Sequence, residues 1–353
     1  MRILVAPDSF KGSLTSYQAA RIIAETLSRY LPEAEIIECP LADGGEGTFE
    51  ILAPIIESDI CLIESAQLIG LNQAQMQSLN VMMRGSAQLG QAIIDGLDSG
   101  KRDFVIALGG SATNDGGLGM LLALGMKAFD TDENPVESNL SGLLSVKRID
   151  LSGLDSRLSE SRLTVLSDVV SPLCGKNGAT AVYGPQKGVQ VEEVERVDRA
   201  MELYALKCSH AFGFDASTMP GAGAAGGLGF ALMLLGGKMV SGAEYVMNKT
   251  GFYKALVGAD WVITGEGCSD AQTLQGKLPL KVAQAARSKG AKVLLLSGSV
   301  GIGSFPELEK EFDLVISAKP EGMDVDQAVQ QAEKLLNQAT ERFISSSNSS
   351  SLF

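Results

Sequence analysis

Residues 2–43 read "RILVAPDSFKGSLTSYQAARIIAETLSRYLPEAEIIECPLAD". "RILVAPDS" has the β-branched, apolar run of a buried strand and stops at Pro-Asp-Ser. "SYQAARIIAETLSRYL" repeats its apolar residues at helical spacing, with Thr15 or Ser16 available as the cap. "AEIIECPLAD" is again apolar and strand-like. Strand, helix and strand within so short a stretch predict a βαβ unit, whose parallel crossover is right-handed. The C-terminal third repeats the pattern: "ADWVITGEG" (259–267) reads as a strand, "KLPLKVAQAARSKG" (277–290) as a helix, and "KVLLLSGSV" (292–300) and "FDLVISAKP" (312–320) as strands. Both ends of the chain therefore predict parts of an open α/β sheet.

The middle has a different texture. "DFVIALGGS" (103–111) and "SRLTVLSDVV" (161–170) read as strands, separated by glycine-rich segments and longer helices. "MLLALGMKAF" (120–129) reads as helix, "SNLSGLLSVKRIDLSGLDSRL" (138–158) as loop, and "VEEVERVDRAMELYALKCSHAFG" (191–213) as a strongly periodic helix. The expected fold class is α/β with two domains. One is an open sheet built from residues 1–75 and 258–353; the other is an α/β domain inserted as residues 76–257. The serine-rich tail from residue 345 is expected to fray.

Bulk properties narrow the function classes. At 353 residues, 45% apolar and 20% charged, the chain can bury a substantial core. A net charge of −13 disfavours a broad nucleic-acid surface. Five scattered cysteines with no CxxC fit reduced thiols in a cytoplasmic protein, and no stretch is long and apolar enough to span a bilayer. His210 is the only histidine, so a Ser-His-Asp triad or a histidine metal site would have to rest on it alone.

Candidate chemistry gathers in glycine–carboxylate loops at strand ends, where open α/β sheets bind ligands. These loops offer Asp8, Ser9 and Lys11; Asp43, Glu46 and Thr48; Ser111, Thr113, Asn114 and Asp115; Asp168; and Thr264, Glu266, Asp270 and Lys277. Glycines permit positive φ and bring backbone amides close to an anion, and carboxylates beside them suit a magnesium ion shared with phosphates. Taken singly, each has a plainer reading: a tight turn, a solvated lysine, a strand-end cap. Repetition at several strand ends favours a site. "GAGAAGGLG" (221–229) contains GxGxxG, but "FGFDASTMP" before it is no strand, so close packing or a phosphate cradle is expected rather than a nicotinamide site. The turn "YGPQKG" supplies Gln186 and Lys187.

"APDSFKGSLT", "PLADGGEGT", "GGSATNDGGLGM", "SDVVSPLCG", "GATAVYGPQKG", "GAGAAGGLG" and "TGEGCSDAQTLQGK" stand in the order found in bacterial type I glycerate kinases, which the sequence resembles from near residue 1 to near residue 300. The resemblance implies Mg²⁺-assisted phosphotransfer from ATP to D-glycerate, commonly giving 2-phosphoglycerate. It also implies a flavodoxin-like domain built from both termini, a second inserted domain, and an active site in the cleft between them. On this footing Asp8, Lys11, Asp43, Asp115 and Asp168 are the catalytic candidates. Ser9, Glu46, Thr48, Asn114, Gln186, Lys187, Glu266, Asp270 and Lys277 would contact substrate. The backbone at Gly109, Gly110, Ser111, Gly221, Gly223, Gly226 and Gly227 would hold the phosphates, and Asp43, Asp115 and Asp168 the metal. The expected partners are small molecules, not nucleic acid or membrane. Two departures stand out. Near residues 58–62 the chain lacks about thirty residues, the length of one supersecondary unit. Cys268 replaces the family's usual arginine, and Gln275 a common glycine. The alternatives are phosphotransfer to another small hydroxy acid, or a catalytically impaired binding homologue.

Overall fold

The structure is a computed structural model that describes residues 1–349. The chain forms two compact units, one of Met1–Asp43, Glu50–Ile55 and Ala243–Phe353, the other of Gly44–Phe49 and Ile56–Gly242. The chain passes from one unit to the other earlier than residues 75 and 258. The Ile60–Glu64 strand pairs in parallel with Asp103–Ala107 and so belongs to the second unit's sheet.

In the first unit five parallel strands lie in the order Leu314–Ser317, Lys292–Ser297, Trp261–Thr264, Arg2–Val5, Glu35–Glu38. Numbered along the chain, this is the flavodoxin-like order 2-1-3-4-5. The register sets Ile3 against Ile36 on one side and Trp261 on the other, so a strand from each end of the chain meets at the sheet centre. The intervening helix, Ser16–Tyr30, begins with a capping box. Gln18 N donates to Thr15 Oγ1 (3.2 Å) and Thr15 N to Gln18 Oε1 (2.9 Å), satisfying two amides that the first turn leaves without helical partners. Its Ala20, Ile23 and Leu27 are buried with Val5, Ile263 and Leu296, and with Leu336 and Phe343 of the Ala332–Ser349 helix. Trp261 meets Phe343 edge to face at 5.1 Å. That helix carries the serine-rich stretch as far as Ser349; residues 350–353 lie outside the described residues.

The second unit has a parallel sheet in the order Ile60–Glu64, Asp103–Ala107, Arg162–Leu166, Lys238–Val240. Two stretches differ from their sequence reading. In residues 120–129 the helix is only Leu118–Ala123, because the chain turns at Gly125 (φ +99°) and Lys127–Phe129 becomes a strand. That strand pairs antiparallel with Arg148–Asp150, inside the segment read as loop, which also holds the helix Leu140–Ser145. Among the described residues no helix is long and apolar enough to cross a membrane.

Candidate functional site

Two neighbouring strands of the first unit, Arg2–Val5 and Trp261–Thr264, send their connections to different places, one into residues 6–15 and the other into residues 265–277. A doubly wound sheet opens a crevice where strand order reverses in this way. Here the crevice is a cavity of about 360 Å³. Its polar lining includes Asp8, Ser9, Lys11, Glu266, Asp270 and Lys277.

Asp8 is buried, and its Oδ1 accepts from Ser9 N at 2.7 Å. Burial lifts its pKa well above the ordinary carboxylate range, and the charge of Asp43 lifts it further; Lys11 opposes both. Lys11 Nζ lies 3.4 Å from Asp43 Oδ2, and that charge raises the ammonium's pKa. Asp8, Lys11 and Asp43 thus form one charge cluster. The Ser9 hydroxyl is buried with no protein partner, so its donor capacity is unspent.

Glu266 is the second buried carboxylate. Ser269 Oγ (3.0 Å) and Thr273 Oγ1 (2.7 Å) donate to its Oε1, and Lys277 Nζ stands 3.7 Å from Oε2. Burial raises its pKa, and Lys277 is the main opposing influence. Ser269 Oγ also lies 2.6 Å from Ser297 Oγ, which ties this carboxylate to the neighbouring strand's end. Ser269, Thr273 and Ser297 escape sequence reasoning because hydroxyls are common in loops and their partner is fixed only by the fold. Asp270 is occupied locally, its Oδ1 accepting from Gln272 N at 2.7 Å.

The candidates in the second unit have other tasks. Asp115 is fully buried and its oxygens are taken up by four donors: Ser86 N and Oγ (both 2.8 Å), Gly117 N (3.2 Å) and Gly119 N (3.1 Å). It organises the turn into the Leu118–Ala123 helix, so the expected metal-binding or catalytic part does not suit it. Among the described residues no three His, Cys, Asp or Glu side chains are grouped so as to hold a metal ion. Asp168 follows the Arg162–Leu166 strand as expected and is half-buried. Lys187 is buried, with Nζ 2.8 Å from Thr113 O and 3.2 Å from Ser111 Oγ. Burial lowers its pKa to about 7, opposed by Asp115. It therefore ties the 111–113 loop from inside rather than presenting a charge to solvent. Asn114 Nδ2 donates to Thr180 Oγ1 at 3.0 Å, while its buried Oδ1 has no protein partner. Glu46 accepts from Asn72 at 3.1 Å, Thr48 is buried, and Gln186 is exposed on its turn.

Several of the glycines expected to cradle phosphate leave little room for a side chain. A Cβ on Gly226 (φ +69°) would lie 2.1 Å from Thr113 O, and one on Gly223 2.3 Å from Pro172 O. On Gly227 it would meet Gly116 Cα at 2.5 Å, on Gly221 Met239 Cε at 2.9 Å, on Gly109 Gly45 Cα at 2.5 Å, and on Gly110 Ala66 Cβ at 3.2 Å. These contacts account for glycine at the positions of "GAGAAGGLG" by close packing.

The sequence matches the model of the "Glycerate kinase family" over residues 3–60 and 53–348. The two matches meet at the segment that reads as short. A glycerate kinase from Halalkalibacterium halodurans is 37% identical over 363 residues, with 96% of each chain covered. A glycerate 2-kinase from Escherichia coli K12 is 36% identical over 85% of this chain and 86% of its own. A solved structure assigned to glycerate kinase 2 of Salmonella typhimurium LT2 superposes with a TM-score of 0.77 at 34% identity, over 99% of this chain and 98% of that one.

Proposed function

Since the chain belongs to the glycerate kinase family, we propose that it transfers the γ-phosphoryl group of ATP to a hydroxyl of D-glycerate, giving 2-phosphoglycerate and ADP. The observation that carries the reading is the cluster of Asp8, Lys11 and Glu266 in the polar lining of the switch-point cavity, with Asp43 against Lys11. Phosphoryl transfer asks a protein mainly for positioning and charge neutralisation. Lys11, Lys277 and Lys319 supply positive charge beside the carboxylates of the lining. The glycerate hydroxyl attacks the γ-phosphorus as the bond to the β-phosphate oxygen breaks, and Asp8 accepts the hydroxyl proton. A carboxylate with a raised pKa suits that step better than an ordinary one. Ser9 Oγ, unpartnered in the protein, is placed to donate to the acceptor. Glu266 positions Lys277 through their ion pair.

Of the residues expected to hold Mg²⁺, Asp115 does not suit that task, because its oxygens are saturated by backbone and Ser86 donors. The ion would enter on the nucleotide's own phosphates. The reaction is placed in the cytoplasm, where five cysteines free of disulfides remain reduced. Phosphorus NMR of a mixture of protein, ATP, Mg²⁺ and D-glycerate tests the reading. A 2-phosphoglycerate resonance growing with that of ADP is expected; ATP left intact, or only the 3-phosphate formed, overturns the reading or its regiochemistry respectively.

A further inference from the structure

The switch-point cavity has an aliphatic lining that glycerate chemistry does not require. Val325, Ala328, Val329, Ala332, Leu335 and Leu336 form it, carried by the Val325–Gln330 and Ala332–Ser349 helices. They recur at helical spacing on one side of the C-terminal segment, so they form a continuous aliphatic wall. Phe10, in the loop that also carries Asp8 and Lys11, adds an aromatic ring. A three-carbon hydroxy acid, polar along its whole length, leaves such a wall unused. A phosphoryl donor built as an apolar planar base joined to a polyanion matches a cavity lined both by lysines (Lys11, Lys277 and Lys319) and by aliphatic side chains. The cavity's volume lies within the range of small-molecule sites.

We infer that the nucleobase of the phosphoryl donor lies against the Val325–Leu336 wall, with its phosphates directed toward Lys11 and Lys277. This rests on the kinase reading and adds to it a donor subsite built from the C-terminal helices.

Two measurements test it. Ala332→Phe crowds the aliphatic lining. The expected result is a KM for ATP raised at least about tenfold, equivalent to about 1.4 kcal/mol of lost binding, with the KM for glycerate unchanged. A raised KM for glycerate with that for ATP unmoved overturns the inference. The second measurement uses the unaltered protein and does not depend on how the variant folds. Cys268 is exposed and lines the same cavity. Its alkylation by iodoacetamide, followed by peptide mass spectrometry, is expected to slow with ADP and with adenosine, and less with inorganic tripolyphosphate at equal concentration. Protection by tripolyphosphate alone, or no protection by ADP, overturns it. If no phosphoglycerate forms while adenosine and ADP still protect Cys268, the glycerate reading fails and the nucleobase subsite stands.

Discussion

Lys187→Met removes an amine that the fold holds largely without solvent. Lys187 is 4% exposed and its pKa is lowered from 10.5 to about 7, chiefly by burial. Between those two values the unfolded chain binds a proton that the folded chain has released. Stability must therefore rise with pH across that window, and the penalty of charging the buried amine is fully present below about pH 7. One pKa unit corresponds to about 1.4 kcal/mol, so the whole window corresponds to about 5 kcal/mol as an upper bound. Methionine keeps most of the volume and has no proton to bind. Urea unfolding at pH 7, 8 and 9 measures the difference in stability between parent and variant. That difference is expected to move in the parent's favour by about 1.4 kcal/mol per pH unit. At the lowest pH the variant loses only the bonds to Thr113 O and Ser111 Oγ, each worth about 1 kcal/mol, and gains relief from the buried charge. Parallel pH profiles, or a difference that shifts toward the variant as pH rises, would refute the placement of a near-neutral lysine behind the 111–113 loop.

Other outcomes follow from the same geometry. If Asp8 accepts the proton, kcat falls on the acid side through its raised pKa; Asp43→Asn moves that limb to lower pH and Lys11→Met to higher pH, and a limb unmoved in both variants removes Asp8 from the role. Asp115→Asn keeps the shape but weakens the acceptor of four hydrogen bonds, so thermal stability should drop by a few kcal/mol, while kcat per folded molecule stays near the parent value. A loss in kcat of about a hundredfold at unchanged stability would return Asp115 to the chemistry. Gly226→Ala sets a Cβ against Thr113 O on left-handed backbone, and a cost above about 2 kcal/mol is expected by calorimetry; a near-neutral result contradicts the close packing.

The loops that matter were legible because they are punctuated. An apolar run ending in glycines and carboxylates marks a strand end whatever the rest of the chain does, and this located Asp8, Lys11, Asp43 and Glu266. The flavodoxin-like order came only from resemblance, since a run such as "WVIT" carries no label for its neighbours; hydrogen bonding to Arg2–Val5 supplies it. The helical boundaries near 118–129 were misread because "MLLALGMKAF" is apolar enough for either structure, and Gly125 decides the break.

Roles were harder to read than positions. Asp43 and Asp115 sit in similar glycine-rich surroundings in sequence. In the fold one lies beside Lys11, while the other is saturated by Ser86, Gly117 and Gly119. The difference depends on a residue 29 positions away. Likewise, only the fold shows that the glycines at 223, 226 and 227 make room for Pro172, Thr113 and Gly116. Sequence alone determined the α/β class, the family and the glycine–carboxylate turns from which the site is proposed, because those are properties of neighbouring residues. The tertiary structure decided that Asp115 is saturated by donors, that burial lowers the pKa of Lys187, and that an aliphatic stripe near the C-terminus walls the same cavity as Asp8. Burial and hydrogen-bond saturation arise from contacts between segments far apart along the chain.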